Sequence, residues 1–406
     1  MQSAITANSD FPTDRNVALL YGFSAARSAM FLVAVLVPYF EDHVGLTFRE
    51  ILLTEAAFAA TMVLAEVPSG WVADQWRRKS VLVIGAILWA VGILLLWTAE
   101  GFAQVVAGQV TMGLAASMHS GADSALLYGS LLCRGMQSQY LTLESRRHEI
   151  GLATLAAASA IAGPLFVWMP RSVFAFDFAS FLLCGICAML LREPPRQKTH
   201  RGRFNFAAMV IVVVRECFKN RVVLWAILLA GGLMAATKAS IWTQQAYLRF
   251  LDIELFWFGP IAAMGFLIGG LASQLGPMMD RSIGPRAALG VIVTSVICGF
   301  AIGGVFPRPA LIPLLFVGIA AYGIALPALK TMVNDLVESD RRATILSVLS
   351  LVPQLTFVGL SHYVGQIVDR SNAADGYIFL AGFTAVAAGC GWVGLVRSLG
   401  KSHELP

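Results

Sequence analysis

Among the ionisable residues that stand within long apolar runs of this 406-residue chain, five are of a type and depth to do chemistry: Arg27, Glu55, His119, Asp123 and Lys238. A charge at membrane depth is costly, so such groups face a cavity or a partner and mark routes for ions or solutes. Arg27 precedes Tyr39 by twelve residues and Lys238 precedes Tyr247 by nine, so they lie roughly 18 and 14 Å along a helix from those ends. Two cations at similar depth suit an anionic solute. Lys238, Trp242 and Gln245 share one helical face, which offers charge, ring and amide together. Two readings of Arg27 stay open: pairing with Glu55, roughly 12 Å below the same surface, or binding a solute. Lys238 has no evident acidic partner at its depth, which favours substrate or coupling work. His119 and Asp123 are one turn apart and could load and release a proton near neutral pH. The other reading of that pair is a hydrogen bond near the inner mouth. Glu66 is expected as a gate residue at that mouth, and Asp177 as an interfacial residue.

The elements that must carry these residues follow from composition. The chain is 57% hydrophobic and 13% charged, against about a quarter charged in soluble proteins. A helical span needs roughly 20 mostly apolar residues. Twelve spans are expected near 16–40, 48–73, 80–99, 102–128, 146–168, 172–191, 222–247, 255–279, 286–306, 310–333, 343–367 and 376–396. The expected fold is an all-α integral membrane protein. No cleavable signal peptide is expected, because Asp10 and Asp14 precede a first apolar run too long for a signal core. The six cysteines fall mostly in apolar stretches and imply no disulfide framework.

With the N-terminus inside, 22 of the 29 Lys and Arg fall in cytoplasmic segments, five in outer loops (Arg49, Arg171, Arg249, Arg308, Arg370) and two, Arg27 and Lys238, within spans. Arg146 and Arg147 count among the cytoplasmic ones. This bias places both termini in the cytoplasm of a bacterial-type inner membrane. It also accounts for the net charge of +5 with no role for nucleic acid. The longest polar stretch, Arg192–Asn205, divides six spans from six. Residues 1–191 and 222–406 are therefore expected as two helical bundles, joined by a cytoplasmic linker, 192–221, whose second part lies along the membrane surface.

The two halves repeat each other locally. Gly70-Trp-Val-Ala-Asp74-Gln-Trp-Arg77-Arg78-Lys79 follows the second span, and Gly276-Pro-Met-Met-Asp280-Arg281 follows the eighth, 206 residues later. Leu127–Leu131 and Val333–Val337 align at the same offset. This repeated Gly-x-x-x-Asp with basic residues resembles the loop signature of the major facilitator superfamily. Gln75 and Arg77 depart from its usual Arg and Gly. Glu66-Val-Pro-Ser-Gly-Trp-Val-Ala-Asp74, Ser120–Tyr128 and Arg342–Ser347 are similar to its bacterial branch, and the resemblance covers the whole chain.

The resemblance implies two pseudo-symmetric six-helix bundles. It places Arg27 and Lys238 on counterpart helices lining a central cavity, and it makes Asp74 and Asp280 locks of the inner gate. On physical grounds, glycine lets the second span pack closely, and aspartate can face the positive end of a neighbouring helix. The gating set is then Glu66, Gly70, Asp74, Arg78, Lys79, Gly276, Asp280 and Arg281. Gly163-Pro164 resembles the family's antiporter motif, but Val167 and Trp168 replace its trailing glycines, so no direction of transport follows.

No phosphate-cradling loop and no metal-ligand cluster is present in the sequence, so no enzyme, cofactor or metal is expected. The expected function is secondary active transport of a small organic solute, anionic or amphiphilic, by a proton-coupled monomer in the lipid bilayer. A multidrug exporter of cationic compounds would want unpaired acids at mid-depth, for which Glu55 is the candidate. A transporter-shaped receptor or lipid-moving protein would show no ion coupling.

Overall fold

In hydrocarbon, backbone polar groups must be satisfied internally, which leaves helices and closed barrels. The computed structural model describes residues 11–195, 215, 219–337 and 339–401, and among these the regular structure is all helical. The principal helices are α1 (Thr13–Ser28), α2 (Phe48–Gln75), α3 (Arg78–Trp97), α4 (Phe102–His119), α5 (Ala122–Cys133), α6 (Tyr140–Trp168) and α7 (Ser172–Leu190). After the linker come α8 (Arg221–Phe250), α9 (Phe258–Ser273), α10 (Gly276–Ile283), α11 (Pro285–Val305), α12 (Val317–Leu336), α13 (Ser339–Arg370) and α14 (Ala373–Lys401). Eleven of the twelve expected spans fall largely on one of these helices or on a consecutive pair, and the first, 16–40, runs on past the end of α1 at Ser28.

Ten helical stretches among the described residues are long and apolar enough to cross a membrane. The other two expected spans are α2 and the α4–α5 pair. The surface helix expected before α8 falls almost wholly on residues 196–214 and 216–218, outside the described residues.

Four expected spans are interrupted, the eighth at Gln274-Leu275 and the tenth at Phe316, and the breaks in the first and fourth bear on the site. The first stops at Ser28, makes short turns at Leu32–Ala34 and Leu36–Tyr39, and ends in a wide turn, Phe40–Val44. Gly45 closes that turn at φ +76°, a conformation that favours glycine. The fourth span breaks at Ser120-Gly121, where Gly121 has φ +75°. Such breaks free backbone groups, and in a membrane these must find new partners. Asp177 of α7 supplies them for the first break by accepting N–H bonds from Phe31 (2.6 Å) and Leu32 (3.2 Å). It is 1% exposed, which corrects the interfacial placement expected from its position one turn into the span.

The chain packs as two compact units. One comprises Met1–Leu36, Ala60–Phe204 and Leu255–Ala263, and the other Val37–Ala59, Asn205–Glu254 and Met264–Pro406. In the first, α3 packs on α4 and α7, and α1 on α6 and α7. Gly163 of α6 and Gly259 of α9 meet backbone to backbone, leaving no room for a side chain at either position. In the second, α8 is the central helix, packed on α12, α13 and α14. Its small residues Ala230, Gly231, Gly232, Ala235, Ala236 and Ala239 are buried and let neighbours approach closely.

Candidate functional site

In the first unit, chemistry collects at the two helix breaks. Arg27 occupies the last turn of α1 and Asp123 the first turn of α5. Each sits at the helix end whose dipole suits its charge. Their ion pair, 3.6 Å, joins the two breaks. The same carboxylate oxygen of Asp123 accepts from Arg147 Nη1 at 2.6 Å, and its other oxygen accepts the Ser124 N–H at 2.8 Å. Arg147 also forks onto Glu144, with Nη2 at 2.6 Å and Nε at 3.0 Å. The Ser124 hydroxyl donates to Glu144 at 2.7 Å. Two cations thus meet two carboxylates. Arg147 and Asp123 are buried, whereas the Arg27 side chain stays 30% exposed.

Three expectations change here. The partner of Arg27 is Asp123, not Glu55, because the break after Ser28 turns the last turn of α1 toward α5. Arg147, counted among the cytoplasmic charges, lies two turns inside α6 and is 2% exposed; the two carboxylates offset its desolvation. His119 and Asp123 do not share one helical face, since the chain breaks between them. The His119 Nε2 lies 3.2 Å from the Leu82 carbonyl oxygen, and its ring stacks parallel to Trp89 and edge-on to Phe23. Gly85 leaves the space that this ring fills.

In the second unit, α8 carries Lys238 at its middle, part-buried. Its ammonium donates to Gln354 Oε1 of α13 at 2.7 Å and stands 4.6 Å from the Phe357 ring centroid and 5.8 Å from that of Phe58. Ring faces attract a cation through their quadrupole without neutralising it. Glu55 of α2, itself 5% exposed, acts on Lys238 at Coulombic range. Lys238 therefore does have an acidic neighbour, contrary to the sequence expectation. The reason is that residues 37–59 pack in the same unit as α8. One turn further along α8, the buried indole N–H of Trp242 meets no acceptor among the described residues. Gln245 points its Oε1 at the Val37 N–H, 3.0 Å away, and so holds the broken first span.

The Phe250 end of α8 bears a second cluster in this unit. Arg249 donates to Glu41 (2.8 Å) and to both oxygens of Asp42 (2.9 and 2.6 Å). Asp369 of α13 caps α2 by accepting the Phe48 and Arg49 N–H groups at 3.0 and 3.1 Å. Burial pushes the Glu41 carboxyl up to about 7; Arg249 pulls it down, while Asp42 and Asp369 push it up further. An uncharged form thus competes near neutrality, since burial penalises the ion.

The expected gating residues are only partly brought together. The Arg78 guanidinium donates to the Ala125 carbonyl at 2.6 Å, tying α3 to α5. The Arg78 and Lys79 N–H groups are capped by Glu193 at 3.0 and 2.9 Å, a role not seen in the sequence. Gly70 is exposed, and a side chain there would meet nothing among the described residues. Gly276 is buried against Ile324. Glu66 and Asp280 are half-buried and Arg281 is exposed. The side chain of Asp74 lies outside the described residues.

Arg147, Glu144, Gln354 and the two phenyl rings were missed from the sequence. The first two could have been found as an acid and a base three residues apart near a span start. No sequence signal points to the others.

A family model described as Major Facilitator Superfamily matches residues 17–130 and 148–361. Among solved structures, a mutant of the nucleoside transporter NupG superposes with a TM-score of 0.83 at 14% identity, covering 93% of this chain and 99% of that one. A bacterial homologue of the human lysosomal transporter Spinster, inward-facing and unoccupied, gives 0.73 at 18% identity, covering 98% and 100%. A D-xylose–proton symporter gives 0.70 at 13% identity, covering 97% and 98%. No curated protein sequence matches. At these identities the likeness is one of fold.

Proposed function

This chain belongs to the major facilitator superfamily and is a multi-pass membrane transporter, and we propose that it carries a small organic anion or amphiphile by proton-coupled alternating access. The observation that carries the reading is Lys238, a cation held among membrane helices by an amide oxygen and two ring faces, with one carboxylate at Coulombic range. An incoming anion takes the ammonium, and the unpartnered Trp242 N–H offers its acceptor atoms a second donor. Glu55, buried at 5% exposure, then loses the Coulombic support of that cation, and burial penalises its charge. It takes up a proton, and solute and proton move together. Arg27, the more exposed cation of the other cluster, is a second candidate for the solute's charge.

The remaining expectations complete the proposal. Both termini lie in the cytoplasm, the two halves are 1–191 and 222–406, and the protein works as a monomer in an inner membrane. Asp74 and Asp280 serve the inner gate, and the Arg249–Glu41–Asp42 cluster with the Asp369 cap forms an outer latch. The reading as an exporter of cations rests on Glu55, whose charge is already engaged by Lys238. Proton uptake by the purified protein, measured while a panel of organic acids and their neutral amides is added, tests the mechanism. Uptake is expected with the acids in the wild type and not in Glu55→Gln. Equal uptake by both proteins would sink the coupling step.

A further inference from the structure

A groove of about 1180 Å³ opens in the second unit among α8, α11 and α14, away from Lys238. This exceeds the roughly 300–1,000 Å³ of a pocket for a drug-sized ligand. Its shape follows the helices. On α14 the lining runs from Ala385 to Ser398, thirteen residues or roughly 20 Å. That is close to the thickness of one leaflet of a hydrocarbon core about 30 Å across.

Polarity is sorted along this length. The walls are apolar, and two indoles, Trp225 and Trp392, line them. Both are fixed: Gly394 makes the space for Trp225, and the Trp392 N–H donates to the Arg286 carbonyl at 2.9 Å. Tryptophan favours the membrane–water interface, where one end of its ring is wet. At one end stand Lys219, Arg221 and Arg397, all exposed, and among the described residues no Asp or Glu lines the groove. The start of α8, whose dipole also favours anions, lies at the same end, with its Val222 N–H taken by the Asn220 side chain at 3.0 Å. By the orientation proposed above, this is the cytoplasmic end. A groove one leaflet long, apolar along its walls and cationic at the headgroup level, complements an anionic phospholipid.

We propose that this groove holds an anionic phospholipid of the inner leaflet, with its headgroup on Lys219, Arg221 and Arg397 and an acyl chain along α11 and α14. The site is separate from the transport machinery, and only the choice of leaflet rests on the proposed topology.

The test uses the full-length protein in nanodiscs of phosphatidylcholine with or without phosphatidylglycerol. Native mass spectrometry after release is expected to show phosphatidylglycerol retained over phosphatidylcholine. The triple variant Lys219→Gln, Arg221→Gln, Arg397→Gln is expected to lose that preference by on the order of tenfold or more, since each cation near a lipid surface contributes roughly a fivefold effect. Its melting temperature in pure phosphatidylcholine should match the wild type, which separates lost binding from lost folding. A photo-crosslinking residue at position 393 should capture lipid. No preference in the wild type, or full preference in the triple variant, would overturn the proposal. So would a crosslink to the chain itself or to a second copy. Competition by glycerol phosphate as strong as by the lipid would also overturn it, because the apolar walls would then contribute nothing. Thiol labelling of a cysteine at position 397 from outside only would overturn the leaflet. A failed lipid test with solute-driven proton uptake intact leaves the transport reading standing, and the converse holds equally.

Discussion

Arg147 in the first unit and Lys238 in the second are both cations set among membrane helices, yet their neighbours differ in kind. Arg147 meets two carboxylates, one of them through a bidentate fork, and a hydroxyl. Its charge is matched atom by atom. Lys238 meets an amide oxygen and two phenyl faces, with its carboxylate only at Coulombic range. A matched pair is stable and has nothing left to offer, whereas a cation held by neutral dipoles keeps most of its capacity for an anion. The first cluster therefore reads as a joint that holds two broken helices together, and the second as a place where a solute can bind.

The contrast can be broken most sharply at Asp123. Asp123→Ala takes from Arg147 one of its two carboxylates and from Arg27 its ion pair; removing one partner of a buried pair costs about 3–5 kcal/mol, and the fork onto Glu144 holds the loss toward the lower end. Unfolding followed in detergent should show that loss. A variant as stable as the wild type would mean that the cluster is not a joint.

Lys238→Ala sharpens the other side of the comparison. Solute affinity should fall by roughly thirtyfold or more, the lower end for truncating a desolvated charged partner, while the melting temperature changes little. A neutral analogue of the solute should lose less than the charged one, because the cation acts mainly on charge. Unchanged binding of the charged solute would reverse the assignment of the two clusters and shift attention to Arg27.

The smallest effect is expected at the latch. Glu41 freed into water has the ordinary carboxylate value of 4.5, against about 7 beside Arg249, Asp42 and Asp369. The latched state binds the proton more tightly, so its advantage is absent above pH 7 and builds as pH falls from 7 toward 4.5. Melting temperature scanned from pH 8 to pH 5 should therefore gain more in the wild type than in Glu41→Gln. Parallel profiles would remove Glu41 from the latch.

Much of this molecule was legible in one dimension. Apolar run lengths located the ten stretches among the described residues that are long and apolar enough to cross a membrane, and the Gly-x-x-x-Asp repeat at Gly70 and Gly276 pointed to the family. Arg27, Asp123 and Lys238 stood out because a charge in an apolar run has few structural excuses. Arg147 and Glu144 did not, since the run Glu144-Ser-Arg-Arg-His-Glu149 has the composition of a loop. Asp177 and Glu193 escaped for a related reason. Each caps freed backbone N–H groups belonging to a distant segment, and no local pattern announces such a debt.

The partners were where one-dimensional reasoning failed. Depth along a helix can be counted at 1.5 Å per residue, so Arg27 and Glu55 could be placed at similar levels. Which helices lie side by side, and which way a side chain turns about its axis, cannot be counted in that way. The break after Ser28 turned Arg27 to Asp123, and the packing of residues 37–59 with α8 brought Glu55 to Lys238. The sequence by itself determined which charges the membrane segments must carry, because hydrocarbon penalises them wherever they sit. Only the tertiary structure decided which charges are matched and which remain available, because Coulomb and hydrogen-bond energies depend on distances across helices that share no sequence neighbourhood.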